Sequence, residues 1–326
     1  MYFPRTFLLA LTAATSISAH GVVTEIKGAN GVSMPGLTIQ DGTPRDCSSN
    51  GCGSQADTAI IRDREIASGK TGPLGRTQGN GNVDASVMVG AFMGSGAAPP
   101  ANQGASGSVG VEDDIPQNAQ NAGAGTQRKR QFLSNLLGSL GGGKGGGAGG
   151  AGAAGGAGGA TGIAGLFGGG GDKVDGPPEA RVAAAAGAGA TGGLPTCADD
   201  GTVTMTLRQI NQDGAGPFTA DVDGTSGGTD EAAMQPATVT QDVPGLGVQG
   251  ISLATNTEFE MKVQMPAGMT CDATVAGVNN VCVMRVRNGA AAGPFGGSVA
   301  FTQSTAAKKR ALAYRLKKRM EIGRLH

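Results

Sequence analysis

Tryptophan is absent from this 326-residue chain, which has only two tyrosines and two histidines. Sugars are usually held against an aromatic face, so this lack argues against a glycosidase or a simple carbohydrate-binding module. The histidines are His20 and His326, one near each end. A Ser–His or Cys–His pair within the body of the chain is therefore excluded. Excess charge is missing too. The 25 basic residues equal the 25 acidic ones, which gives no overall steering toward nucleic acid. No C-x-x-C occurs, which removes a thioredoxin-like motif. The apolar run at residues 7–15 is too short to anchor in a bilayer, and no later run is both long and apolar enough.

Glycine is what the chain has in excess, 61 residues of it. Much of it falls in residues 138–171, GSLGGGKGGGAGGAGAAGGAGGATGIAGLFGGGG. Such a segment buries too little side-chain surface to offset the backbone entropy of ordering glycine. It is predicted to be a disordered insertion, continued by VAAAAGAGATGG at residues 182–193. A phosphate-cradling loop does not fit: no G-x-x-x-x-G-K-[ST] is present, and glycine follows Lys144. The organisation expected is a leader at 1–19, a first β portion at 20–93, the insertion at 94–195, a second β portion at 196–304 and a basic tail at 305–326.

The leader reads as a signal peptide, with a short basic start, an apolar stretch and a small residue, Ala19, before the cut. Cleavage there makes His20 the first residue, and the protein is expected to be secreted and extracellular. Five cysteines then suit an oxidising compartment. Cys271 and Cys282 flank DATVAGVNNV, a natural hairpin, and are expected to pair. Cys47 and Cys52 enclose SSNG and could close locally, or Cys197 could take one of them.

The second β portion carries the clearest periodicity. TVTMTLRQI at residues 202–210 puts Val203, Met205 and Leu207 on one face, with Thr202, Thr204, Thr206 and Arg208 on the other. EFEMKVQM at 258–265 points Phe259, Met261, Val263 and Met265 inward and Glu258, Glu260, Lys262 and Gln264 outward. Strict alternation of this kind predicts half-buried antiparallel strands. Residues 218–222, 238–243, 281–287 and 298–303 are further strands, separated by turns such as DGTSGG and PGLG. The expected fold is mainly β: an immunoglobulin-like antiparallel sandwich, stapled by disulfides, whose first strand at 21–28 joins the sheet across the insertion. Residues 55–67 read as a short helix and 87–92 as a strand.

Lys129-Arg130 and Lys309-Arg310 are dibasic pairs of the kind secretory proteases cut. The tail AAKKRALAYRLKKRMEIGRLH is a basic helix former. A solvated, frayed end is expected of it, and an anionic surface is its alternative partner.

At HGVVTEIKGANG, GTPRDC and ADTAIIRDREIA, and again at TLRQINQDGAGPFTADVD, MPAGMTCDATVAGVNNVCVMRVRN and AAGPFGGSV, the chain resembles a known family. It is similar to the fungal appressorium-associated (MAS or Egh-type) secreted virulence factors, over residues 19–89 and 196–301. The resemblance implies secretion by a filamentous fungus during host penetration or on a nutrient surface. In its start at histidine and its expected sandwich it is distantly similar to the copper-dependent polysaccharide monooxygenases. The family pattern also implies cysteines near 286 and 298 and at 74 and 220. Val286, Ser298, Leu74 and Ala220 stand there, and absence at both 286 and 298 implies the joint loss of one bridge.

A monooxygenase site of that kind needs the amine and ring of the first residue and a second histidine ring, three nitrogens in a T that suits copper. Here His20 is the sole imidazole available as a metal ligand in the body. Asp57, Asp63 and Asp84 are the carboxylates that could stand in for the missing ring. Glu25, Asp63 and Glu65 could supply a carboxylate pair for glycoside cleavage, but the aromatic platforms are lacking. The favoured reading is a non-catalytic surface factor without a cofactor, meeting a host surface or cell-wall polysaccharide, with no nucleic acid and no integral membrane contact. The alternative is a copper-binding relative of the monooxygenases anchored by His20.

Overall fold

The computed structural model describes residues 20–40, 56–97, 170–174, 176–212, 214–245, 252–291 and 293–322. The core of the glycine-rich insertion, the leader, and Cys47, Cys52, Lys129, Arg130 and His326 lie outside the described residues.

Strands form at seven of the eight expected segments, and six short ones join them. They are β1 (Gly21–Lys27), β2 (Ser33–Pro35), β3 (Ala59–Ile60), β4 (Arg76–Thr77), β5 (Gly81–Asn82), β6 (Asp172–Lys173), β7 (Thr202–Gln209), β8 (Phe218–Asp223), β9 (Met234–Gln241), β10 (Thr257–Gln264), β11 (Ala273–Val275), β12 (Val278–Asn288) and β13 (Phe295–Thr302). Neighbouring strands run in the order β2-β1-β7-β10-β9-β8-β12-β13-β3-β4-β5, with β11 on β12 and β6 on β10. Every named pairing is antiparallel.

The first strand does join across the insertion, with Val22 opposite Arg208 and Ile26 opposite Met205. β9 pairs with β10 along one edge and β8 along the other, so the sheet turns from one layer into the next there. The layers meet face to face where β1 crosses β13. A Cβ added to Gly297 would fall 2.9 Å from Val23 Cβ, so only glycine admits that approach. Between the layers lie Val23, Met205, Leu207, Met261, Val263, Met284, Val299 and Phe301, all buried. Each such side chain contributes about 1.5–3 kcal/mol of transfer free energy.

Cys271 and Cys282 are bonded. The hairpin that brings them together turns at Ala276 and Gly277, both at positive φ, with Val275 opposite Val278. The ladder sets Arg285 against Ser298 and Val286 against Gly297. Directly opposite residues share a face and adjacent ones do not. Positions 286 and 298 therefore project to opposite faces, and the expectation of a bridge lost jointly between them is corrected.

Local capping corrects a second expectation. Residues 87–92, read as a strand, lie in helix α2 (Ala85–Met93). The Asp84 side chain accepts from Ser86 N at 2.8 Å, and Gly94 closes the other end in the left-handed region. Met88, Val89 and Phe92 then share one buried face. Among the described residues of 55–67 the α-helix is confined to Asp63–Ala67 (α1), because Ala59 and Ile60 are drawn into the sheet by Gly296 and Phe295.

Residues 176–195, read with the insertion, pack on the body as α3 (Glu179–Ala185) and α4 (Gly189–Gly192), burying Glu179, Val182 and Leu194. The basic tail is not frayed through its described length. It forms α5 (Thr305–Ile322), 18 residues long. Among the described residues no helix is long and apolar enough to cross a membrane.

Candidate functional site

β1 begins at Gly21, so the residue before it is carried to the mouth of the sheet. His20 is buried there, 1% exposed, with its ring 5.0 Å from that of Phe295 at a 32° tilt. Asn211, just past β7, reaches its backbone nitrogen and its ring Nδ1. The His20 backbone N–H donates to Asn211 Oδ1 at 2.6 Å, and Asn211 Nδ2 lies 3.1 Å from His20 Nδ1.

With residue 19 attached the His20 nitrogen is a peptide N–H that can only donate, so Oδ1 must face it. That leaves the amide NH2 toward Nδ1, which therefore accepts and leaves the ring proton on Nε2. The His20 carbonyl accepts from Ile210 N at 2.8 Å. Gln209 steadies the clamp from below, its Nε2 donating to Asn211 O at 3.1 Å and Ala254 O at 2.7 Å. Gly214 closes the corner so tightly that a Cβ there would sit 2.0 Å from the His20 carbonyl oxygen.

Two of the carboxylates considered as metal partners have other roles. Asp63 is exposed on α1 and forms an ion pair with Arg287. Asp84 caps α2. Asp57 is buried in the turn before β3. Among the described residues no three His, Cys, Asp or Glu side chains converge in a way that could hold a metal ion.

Nor do Glu25, Asp63 and Glu65 form a cleavage pair. Glu65 sits among Arg62 at 3.1 Å, Arg76 at 2.9 Å and Lys70 at 3.6 Å. Burial raises its pKa, but hydrogen bonding and charge from Arg76, with Arg62 and Lys70, bring it below the ordinary carboxylate value. Glu25 faces Arg181 at 3.8 Å. Cys197 is a buried thiol whose pKa is pushed up, chiefly by that burial. Lys309 and Arg310 lie in the first half of α5, and Arg310 Nη1 donates to Asp199 O at 3.2 Å.

Two charged clusters were missed by sequence reasoning. Arg208, assigned to the outer face of β7, is 1% exposed. Its guanidinium donates to Glu258 Oε1 at 2.9 Å and to Gly176 O at 2.6 Å. Arg181 on α3 completes the group, donating to Glu258 Oε2 at 2.8 Å and Thr24 Oγ1 at 3.1 Å. Arg285 on β12 is likewise enclosed, by Asp221 at 3.0 Å, by Glu231, and by Pro73 O at 2.8 Å. The signal that could have suggested burial is the placement of arginine and acid at matching strand positions. Asn211 and Phe295 lie within two of the stretches that carry the family resemblance, but no periodicity singled them out.

The fold and its corner thus define a mainly β protein with a buried first strand, arginine–carboxylate clusters tying its loops down, and a histidine held by an asparagine amide. The chain belongs to the Egh16-like virulence factor family, whose pattern matches residues 18–296. It is 48% identical to an appressoria-specific virulence factor, GAS2, of Pyricularia oryzae (strain 70-15), over 98% of this chain and 95% of that protein. It is also 40% identical to GAS1, an appressoria-specific virulence factor of the same strain, over 38% of this chain and 50% of the relative. No solved structure matches.

Proposed function

We propose that this protein is a secreted fungal virulence-associated factor that acts at the host or hyphal surface without catalysing a reaction. Membership of the Egh16-like family and likeness to two appressoria-specific virulence factors support the role in virulence. The observation that carries the non-catalytic part is the Asn211 clamp. A copper site led by a terminal histidine would use that residue's own nitrogen and its ring Nδ1. In the chain before cleavage both lie against the Asn211 amide, at 2.6 and 3.1 Å, and copper would have to displace it.

A third nitrogen is needed as well, and the only other histidine is His326, in the tail. The donor set does not fit copper in the T-shaped arrangement. His20 instead serves as a structural plug that fixes the start of β1.

Intact mass and copper titration of the secreted protein test this reading. The expected result is a chain starting at His20 with no tightly held copper and no reductant-dependent hydrogen peroxide. One copper bound tightly, with peroxide production lost in His20→Ala, would overturn it.

A further inference from the structure

Helix α5 leaves most of itself uncovered. Ala307 and Ala311 are its only buried residues. From Leu312 to Ile322 every residue is exposed. The base is fastened: Ser304 Oγ accepts from Ala307 N at 3.1 Å and donates to Asp199 Oδ1 at 2.8 Å. Lys308 Nζ donates to Asn280 Oδ1 at 3.1 Å, and Arg315 Nε to Gly268 O at 2.6 Å. The helix is therefore held at one end and presented at the other.

Its outward face has a definite chemistry. Leu312, Leu316 and Met320, 46%, 59% and 63% exposed, recur every four residues. At 3.6 residues per turn they form a stripe about 80° wide, on the side away from Ala307 and Ala311. Lys308 and Arg319 flank this stripe on one side and Lys317 on the other, with Lys309 at its base. Across Thr305–Ile322 seven residues are basic and one, Glu321, is acidic. The chain as a whole has 25 of each sign, so the helix carries +6 and the remainder −6. Among the described residues, charge is thus concentrated on a helix whose Leu312, Leu316 and Met320 side chains are exposed.

We infer that α5 docks on the surface of an anionic lipid bilayer. Cations rimming an apolar stripe match the headgroup zone, where lysines and arginines meet phosphate and carboxylate while leucine and methionine enter the acyl boundary. Eight charges in 18 residues keep the helix lying on the bilayer and not across it. A soluble polyanion would satisfy the cations and leave the stripe in water. A second copy of the helix would bring seven more like charges against it. The inference deepens the proposed surface role by naming the surface, and it stands apart from the question of copper at His20.

The test is co-sedimentation of the full chain, with α5 intact by mass, using two kinds of vesicle. One is phosphatidylcholine alone and the other contains about one third phosphatidylserine, at about 0.1 M salt. Binding to the anionic vesicles is expected to exceed that to the neutral ones by about tenfold or more, and to fall in high salt. Replacing Leu312, Leu316 and Met320 together by serine keeps every charge and touches no core residue. It is expected to reduce anionic binding by about tenfold. K317Q/K318Q/R319Q is expected to abolish the preference for the anionic lipid. Equal binding to both vesicles, no binding to either, or full binding by the triple-serine variant would each overturn the inference. A concentration-dependent dimer without vesicle binding would do so in favour of self-association.

Discussion

Arg208 and Glu258 stand directly opposite each other across the β7–β10 ladder, and Nη2 of one lies 2.9 Å from Oε1 of the other. The pair is shielded because residues 176–185 fold over that face and contribute Gly176 O and Arg181 to it. Removing one member of such a pair leaves a desolvated charge behind. Glu258→Gln is expected to cost on the order of 3 kcal/mol in urea unfolding. Hydrogen exchange in α3 should rise with it, since Arg181 loses its nearest carboxylate and keeps only Thr24 and the more distant Glu25. An unchanged midpoint would show that the cluster is solvated in solution.

Acid should destabilise the fold through the same kind of group. Burial raises the pKa of Glu258, but hydrogen bonds and charge from Arg181 and Arg208 outweigh it and hold the carboxyl below its ordinary value. In Asp223, burial again acts upward and is outweighed by hydrogen bonds from Ser226, Thr225 and Gly228. A depressed folded pKa means stability that is present above the unfolded value and lost as pH falls through the folded one. Asp242 works the other way, because burial raises it and it gains protons on folding. With Glu65 also depressed, the expected sum is a thermal midpoint that declines as pH drops below the carboxylate range. Asp223→Asn should flatten that decline, and a slope that does not change would remove Asp223 from the account.

Asn211→Ala removes both hydrogen bonds to His20 and leaves the buried backbone N–H without its acceptor. A loss of about 1–3 kcal/mol is expected, with faster exchange at the start of β1. Wild-type stability in this variant would mean that Phe295 packing alone seats the histidine.

Gly297→Ala places a methyl 2.9 Å from Val23 Cβ and 3.0 Å from Val23 N. Backbone is among the crowded atoms, so the layers must part. The expected cost is about 1–3 kcal/mol by chemical denaturation. Gly31→Ala is a poor control because its φ is 78°, whereas Gly72, with nothing within 4 Å of an added Cβ, serves well.

Reduction should weaken the hairpin. Cys271 and Cys282 are 11 residues apart, and closing so short a loop contributes about 2–3 kcal/mol by chain entropy. Cys271→Ser with Cys282→Ser is expected to lower the midpoint by that amount, without loss of the sheet signal in circular dichroism.

Alternation in TVTMTLRQ and TEFEMKVQ made β7 and β10, and the inward faces of both, readable directly from the residues. The Cys271–Cys282 bond was readable for a similar reason, since a short hairpin confines both cysteines. The helix at Ala85–Met93 was not, because valine and phenylalanine suit either state and Asp84 with Gly94 decided it.

Local order along the chain thus determined β7 and β10 and which side of each faces the core, because side-chain direction has period two whatever the partner. Only the tertiary structure decided what covers the second side. The guanidinium of Arg208 became buried because α3 returns over it from beyond the insertion. His20 met Asn211 across 191 residues of sequence because β1 pairs with β7. Contacts of that separation depend on how strands are ordered in the sheet, and no periodicity within either strand records that order.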